Sequence, residues 1–369
     1  MAKNYATSEG TKKYAEKFKA LETAGNYRDF MGLKVSSVGL GTYLGHSNEA
    51  DDKLYVEAIQ AALLSGCNLL DSAINYRCMR SERNIGEALK ELITAGKIIR
   101  EEVVVCTKGG FIPFDGDTPA NPAQYFQDEY IQKGLCASTD IVAGCHCMTP
   151  AYLRNQVERS LKNLGLDCID LFYIHNPETQ LDEVPREAFY QKLEKAFVEL
   201  EKLVTEGKIR AYGTATWNGY RVPPQAQEHL SLMDVLKAAQ KAGGNEHHFK
   251  AVQLPYNMGM AEAWAVPSQV LGSQTVPLLE ATKANQIAVF TSASILQAKL
   301  SRNLPAVIAE TFPGFQTDAQ RAIQFTRSTP GVTTALVGMK RKEHVEENLK
   351  VAAAAPAGVN KIEFLFSEK

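Results

Sequence analysis

The chain has 369 residues, with 40 Lys and Arg against 42 Asp and Glu and a formal net charge of -2. This balance gives no electrostatic reason to expect nucleic acid or an anionic membrane as partner, and 45% hydrophobic with 22% charged residues fits a soluble globular protein. The opening Met1-Ala2-Lys3-Asn4-Tyr5 has no basic segment leading into an apolar one, and no run reaches the roughly 18 apolar residues of a membrane helix, so the chain reads as cytoplasmic. Seven scattered cysteines read as reduced thiols rather than a disulfide framework.

Residues 1–26 are charged and helix-prone, with Tyr14, Phe18 and Leu21 at roughly helical spacing, and either dock as an extra helix or stay partly mobile. Gly32-Leu33-Lys34-Val35 and then 38–42 read as a hairpin followed by a first strand. Residues 53–65 alternate with helical period, and Gly66 stops them before a strand at 68–71. Ser81 and Glu82 read as a helix-start cap, with Ile85, Ala88, Leu89 and Leu92 as the packing stripe behind them.

The β-branched run 103–107 is a third strand, and residues 109–149 after it form a long, weakly periodic loop with Pro113, Gly116, Pro119 and Pro122. Aromatic content makes this an ordered lid, with Phe111, Phe114, Tyr125, Phe126 and Tyr130 either lining a pocket or packing on one another. Cys136 and Cys145-His146-Cys147 match no paired-cysteine spacing, so plain thiols and no metal are expected there. Alternation resumes with a helix carrying Leu153, Val157, Leu161 and Leu164, a strand at 169–174, a helix at 186–205, a turn and strand over 207–213, and strands at 252–254, 288–291 and 334–338. Eight strands separated by helical segments predict an α/β fold, a closed (β/α)8 TIM barrel.

Strand ends of a parallel barrel converge on one face. Leu69-Leu70-Asp71-Ser72-Ala73-Ile74-Asn75-Tyr76 delivers a carboxylate and a phenol there, Lys108 follows the third strand, and His175 follows the fourth. A phenol with an ordinary pKa of about 10 needs a cation to work near neutral pH, and Lys108 is the expected source of that lowering.

The order Asp71-Ser72-Ala73-x-x-Tyr76, then Thr107-Lys108, then Tyr173-Ile174-His175 resembles the aldo-keto reductase superfamily, over about residues 34 to 348. The resemblance implies a single barrel domain over 27–369 with an N-terminal hairpin and a lid after strand 3, residues 1–26 being an extension. It implies Tyr76 as general acid, Lys108 lowering its pKa, Asp71 orienting Lys108, and His175 polarising the carbonyl.

A Rossmann fingerprint is missing, since Gly39-Leu40-Gly41 has no third glycine, so a nicotinamide cofactor must sit on barrel loops. The basic run Gly338-Met339-Lys340-Arg341-Lys342 after the eighth strand reads as an anion site, which the resemblance makes the NADP 2′-phosphate site, with Glu347-Asn348 at the adenine. The implied cofactor set is Gly41, Thr42, Asp71, Gln253, Ser292, Gly338, Lys340, Arg341, His344, Glu347 and Asn348, and the implied substrate pocket is Tyr43, Phe111 and Trp217.

Two departures stand out. Ala215-Thr216 replaces a typical Ser-Asn, and Thr291-Ser292-Ala293-Ser294 replaces an aromatic-Ser-Pro-Leu run, which removes a stacking ring at 291 and leaves Trp217 or Phe290 to compensate. The expected activity is NADP(H)-dependent reduction of an aldehyde, ketone or sugar carbonyl. The alternatives are a sugar or polyol dehydrogenase and a redox-sensing subunit similar to potassium-channel β-subunits. Nucleic acid and membrane are not expected partners, and the sequence leaves an oligomer open.

Overall fold

The computed structural model describes residues 4–367, so the first three residues of the expected extension and the last two of the chain lie outside the described residues. An antiparallel hairpin comes first, β1 (Tyr27–Phe30) with β2 (Leu33–Ser36). The barrel strands follow: β3 (Val38–Gly41), β4 (Leu69–Asp71), β5 (Val104–Gly109), β6 (Leu171–His175), β7 (Tyr212–Ala215) and β8 (Phe249–Pro255). A second hairpin, β9 (Pro267–Leu271) with β10 (Gln274–Pro277), precedes the last two barrel strands, β11 (Ala288–Ser292) and β12 (Val332–Gly338). The barrel is closed, every neighbouring pair is parallel, and strand order follows chain order, with β12 returning to β3.

The expected barrel and its first hairpin are therefore present, with shifts at the strand ends. The turn and strand expected over 207–213 are both present: Gly207 at φ +74° makes the turn that ends the helix Arg186–Thr205, and the strand itself is Tyr212–Ala215, running two residues further than expected. The second hairpin was not foreseen. Gly272 at φ +62° supplies its turn.

Two cores sandwich the sheet. The outer one, between strands and helices, takes Leu40, Leu70, Val105, Phe172, Ile174, Val252, Val289 and Val337 from the strands. Their neighbours point inward: Leu69, Val104, Cys106, Leu171, Tyr173, Ala215, Ala251, Phe290 and Leu336 fill the barrel interior. Gly39 belongs to this inner face and has to be glycine, since a Cβ there would meet Leu69 Cδ2 at 2.7 Å and Leu336 Cδ2 at 2.8 Å. Phe30 and Val35 of the hairpin, with Ala6, complete the inner cluster.

The N-terminal segment docks through the helix Ser8–Lys17. Its Tyr14 is buried and donates a hydrogen bond to the Leu63 carbonyl at 2.6 Å. Among the described residues no helix is long and apolar enough to cross a membrane.

Candidate active site

The two-residue period that fills the barrel also selects what stands at its C-terminal mouth. Continuing each inward stripe by one step gives Gly41, Asp71, Lys108, His175, Gln253, Ser292 and Gly338. Lys108 lies within β5, where it pairs with Tyr173 of β6, and does not merely follow the strand.

The structure brings Asp71, Tyr76, Lys108 and His175 together. Lys108 Nζ lies 2.6 Å from Asp71 Oδ1 and 2.6 Å from the Ser72 carbonyl, with both side chains of the pair buried. The same ammonium sits 4.9 Å from the centre of the Tyr76 ring. The Tyr76 and His175 rings are 5.7 Å apart and nearly perpendicular at 77°. Asp71 Oδ2 accepts from Gln253 Nε2 at 2.8 Å, so Gln253 is engaged with the carboxylate.

Burial opposes the charge on Lys108, but Asp71 and then Tyr76 more than offset it, and the pKa is raised. Lys108 is therefore an ammonium. For Tyr76 the expected lowering by Lys108 is overturned as a net effect: burial raises the phenol above its ordinary value, and Lys108 counters this only in part. At neutral pH Tyr76 is a phenol and holds a proton to give. Burial, with Lys108 and His146 adding to it, holds His175 well below the ordinary imidazole value, so this ring is neutral.

The loop leaving Tyr76 is unusual. Arg77, Cys78 and Met79 have φ of 49°, 54° and 67°, three consecutive non-glycine residues in the left-handed region. Arg77 anchors the run by donating to Asp52 Oδ1 at 2.5 Å, Asn84 Oδ1 at 2.7 Å and the His46 carbonyl at 2.9 Å. Ser81 is not the helix cap expected of it. The helix Arg80–Thr94 starts after Met79, and Ser81 Oγ instead donates to the Thr42 carbonyl at 2.8 Å. Glu82 accepts from Thr107 Oγ1 at 2.6 Å and Asn163 Nδ2 at 2.8 Å.

At the rim, Tyr43 is 57% exposed with its ring 5.0 Å from Tyr76, and Trp217 is 44% exposed. Phe111 stands edge-on to His175 at 5.0 Å. The other lid aromatics pack among themselves, Phe114 on Tyr125 and Phe126 on Tyr130. The lid is ordered, with a short helix Pro122–Phe126 and Gly116 donating to the Cys78 carbonyl at 2.8 Å. Glu178 Oε1 accepts from the amides of Trp217 and Asn218 at 2.6 and 3.1 Å, while burial pushes its pKa up to about 7.

The lid cysteines are free, and among the described residues no group of three or more His, Cys, Asp and Glu side chains is placed to hold a metal. His146 is instead fully buried, with Nε2 2.7 Å from the His175 carbonyl and Nδ1 3.0 Å from Gln180 Nε2. Burial first, and Lys192 to a lesser degree, lowers its pKa to about 4. An unfolded histidine titrates near 6.5, so between about pH 6.5 and 4 the unfolded chain binds a proton the folded one does not. Stability present at neutral pH is lost as pH falls through that window, on the order of 3 kcal/mol for this group. The urea midpoint should fall from pH 7 to pH 4.5, and fall less in His146→Gln; an equal fall in both proteins removes His146 from the account.

At the β12 and β3 ends, Gly41 and Gly338 leave open floor: a Cβ on either would meet no atom closer than 3.7 Å. Lys340 is not a free cation. It is paired with Asp51 at 2.9 Å, and Asp51 also accepts from the His46 amide at 2.6 Å. Arg341 and His344 are exposed at the start of the helix Lys342–Asn348. Glu347 is half-buried with its carbonyl taken by Gln320, and Asn348 is buried with Oδ1 unpartnered. Thr42 is fully buried, its hydroxyl bound to Ser72 Oγ at 3.0 Å and to the Asp71 carbonyl.

Around the departures, Ala215 is part of the inner core and Thr216 is buried with its amide on the Gln253 carbonyl at 2.8 Å. Thr291 is buried and turned to the Thr334 carbonyl. Phe290 does not substitute for a stacking ring: it points inward and packs edge-on against Phe30 of the bottom hairpin at 5.2 Å, away from the mouth.

A family model described as the aldo/keto reductase family matches residues 37–266. The chain is 30% identical over 213 residues to an NADH-specific methylglyoxal reductase of Escherichia coli, an alignment covering 56% of this chain and 55% of that protein. It is 26% identical over 334 residues to a Schizosaccharomyces pombe protein assigned as a voltage-gated potassium channel subunit beta, covering 86% and 85% of the two chains. Among solved structures, a glycerol dehydrogenase of Gluconobacter oxydans superposes with a TM-score of 0.64 at 20% identity, covering 93% of this chain and 94% of its own. An aldo-keto reductase of Klebsiella pneumoniae in complex with NADPH gives 0.61 at 20% identity, with 92% and 93% covered. At that identity the superpositions speak for the fold.

Proposed function

The chain belongs to the aldo/keto reductase family, and from that membership we propose that it is an NADP(H)-dependent oxidoreductase, one barrel domain with a docked N-terminal extension, reducing an aldehyde, ketone or sugar carbonyl to an alcohol. The observation that carries this reading is the buried Lys108–Asp71 pair at 2.6 Å beside a protonated Tyr76 and a neutral His175. A cation, a phenol and an imidazole converging on one point suit stabilisation of a developing alkoxide.

The cofactor, when bound, supplies the hydride to the carbonyl carbon. Tyr76 gives its proton to the carbonyl oxygen as negative charge builds there, and regains one from solvent. Lys108 stabilises the phenolate that Tyr76 becomes, and Asp71 keeps Lys108 charged and aimed. His175, neutral, donates a hydrogen bond to the same oxygen. The substrate rests against Tyr43, Phe111 and Trp217.

The residues at the β3, β8, β11 and β12 ends and on the helix Lys342–Asn348 fit a dinucleotide. Gly41 and Gly338 leave room for a backbone-close approach, Gln253 and Ser292 face the mouth, and the unpartnered buried Oδ1 of Asn348 suits an adenine amino group. Glu347 and His344 flank it. Arg341 is the exposed cation for a 2′-phosphate, whereas Lys340 must first leave Asp51. Thr42 acts indirectly, by holding the strand end of Asp71.

Competition for Lys340 makes Asp51 a brake on NADPH preference. Asp51→Asn keeps an acceptor for the His46 amide but frees Lys340, and should tighten NADPH over NADH about three- to fivefold, the scale of a part-exposed ion pair. Arg341→Ala should weaken NADPH. Tryptophan fluorescence titration of purified protein with NADPH and NADH reads both effects. An unchanged ratio in Asp51→Asn removes Lys340 from the phosphate site, and failure of both cofactors to bind removes the reductase reading itself.

A second reading is a cofactor-binding, redox-sensing subunit. The alignment with the channel-subunit relative over 85% of that protein's length favours it. It shares the binding expectation and differs in turnover.

A further inference from the structure

We propose that His146, a lid residue, is a positioning residue for His175: by donating its Nε2 hydrogen to the His175 backbone carbonyl it latches the lid to the barrel and holds the catalytic imidazole in place. The proposal rests on the carbonyl-reduction reading for its consequence and on the structure alone for the latch.

Both ring nitrogens define the same tautomer. A backbone carbonyl only accepts, so Nε2, 2.7 Å from the His175 oxygen, must carry the hydrogen. On the other edge, Gln180 turns its Oε1 toward Lys192 Nζ at 3.4 Å, an ammonium that only donates, and so presents its amide nitrogen to His146 Nδ1 at 3.0 Å. Nδ1 is therefore the acceptor. The same Gln180 nitrogen also reaches the His146 carbonyl at 3.2 Å, which fixes ring and backbone together.

The chain around the latch is shaped to it. Leaving β5, Gly110 and Ile112 pair with the returning lid: Cys147 donates to the Gly110 carbonyl at 2.9 Å, and Ile112 donates to the Cys145 carbonyl at 2.8 Å. Gly110 has φ +142°, and a Cβ there would stand 2.7 Å from His146 Nε2 and 2.9 Å from the His175 oxygen, in the space of the hydrogen bond. Phe111 lies edge-on to both imidazoles, at 5.2 Å from His146 and 5.0 Å from His175.

The strand end needs such a hold. His175 is the last residue of β6, and Asn176 turns at once into the left-handed region at φ +44°, with its amide on the Ala215 carbonyl at 2.6 Å. The sheet thus fixes the amide side of that turn, and His146 fixes the carbonyl of the residue before it. His146 reaches no reacting atom itself. A displacement of about 1 Å at a reacting group costs on the order of a hundredfold in rate, so a loosened His175 should be felt in kcat.

The test uses the full chain with NADPH and 4-nitrobenzaldehyde as probe, beside nitrogen-15 NMR of the labelled protein at pH 7. NMR should find His146 neutral with its hydrogen on Nε2. His146→Phe keeps a ring against Phe111 but has no donor, and kcat should fall about ten- to a hundredfold with the NADPH dissociation constant unchanged. His146→Gln, whose planar amide offers a donor and an acceptor at similar spacing, should restore kcat to within about threefold. A hydrogen found on Nδ1, wild-type kcat and KM in His146→Phe, or a loss of NADPH binding that His146→Gln does not rescue would each overturn the proposal. If the wild type neither binds cofactor nor turns over the probe, the reductase reading falls, and the tautomer alone then upholds or overturns the latch.

Discussion

Tyr76→Phe should lower carbonyl reduction by about a thousandfold or more while leaving NADPH binding within about twofold, because the change removes one hydroxyl and no cofactor contact. Steady-state rates with an aldehyde probe and a fluorescence titration of cofactor check the two halves separately. The size follows from what surrounds the phenol. Burial keeps Tyr76 protonated, Lys108 stands ready to stabilise the phenolate, and the neutral His175 can hydrogen-bond the substrate oxygen without replacing the proton. Retention of full activity in Tyr76→Phe would mean that another group, or water, donates the proton.

Lys108→Met should damage both folding and turnover. Asp71 would be left as a buried carboxylate with Gln253 as its remaining side-chain partner, and breaking one half of a buried ion pair costs about 3–5 kcal/mol. The double variant Lys108→Met with Asp71→Asn removes the stranded charge. It should recover much of the urea midpoint and none of the activity, since Tyr76 still lacks its cation. Urea melts of the three proteins beside their kcat values check this. A Lys108→Met protein as stable as wild type would show that the Lys108–Asp71 pair does not carry this stability.

The barrel was legible because its signal is a repeat of strand and helix, with three apolar runs ending in or beside Asp71, Lys108 and His175; the structure adds the two-residue rule by which Leu69, Val104 and Leu171 on the inner face lead to those same residues at the mouth. The same rule, applied one residue at a time, places Phe290 inside against Phe30 and Thr291 outside, which removes Phe290 as a stacking ring. What was not legible depends on partners far apart in sequence. Ser81 reads as a cap, but its hydroxyl is drawn to the Thr42 carbonyl. Lys340 reads as a phosphate ligand, but β12 and β3 are neighbours and the following loops bring it to Asp51. The net direction of the Tyr76 shift needed the depth of burial, which spacing does not carry. His146 drew notice only as an incomplete metal motif, while its actual partners lie 29 and 34 residues away.

The most direct measurement is a single turnover. Enzyme saturated with NADPH is mixed rapidly with an aldehyde, a ketone and an aldose in separate runs, and the absorbance of bound reduced nicotinamide is followed, for wild type and for Tyr76→Phe. Wild type should show stoichiometric oxidation of the bound cofactor by at least one carbonyl, and in Tyr76→Phe the cofactor should stay bound and reduced. Bound NADPH that remains reduced in wild type against all three carbonyl classes would contradict the reductase reading and leave a cofactor-binding subunit in its place.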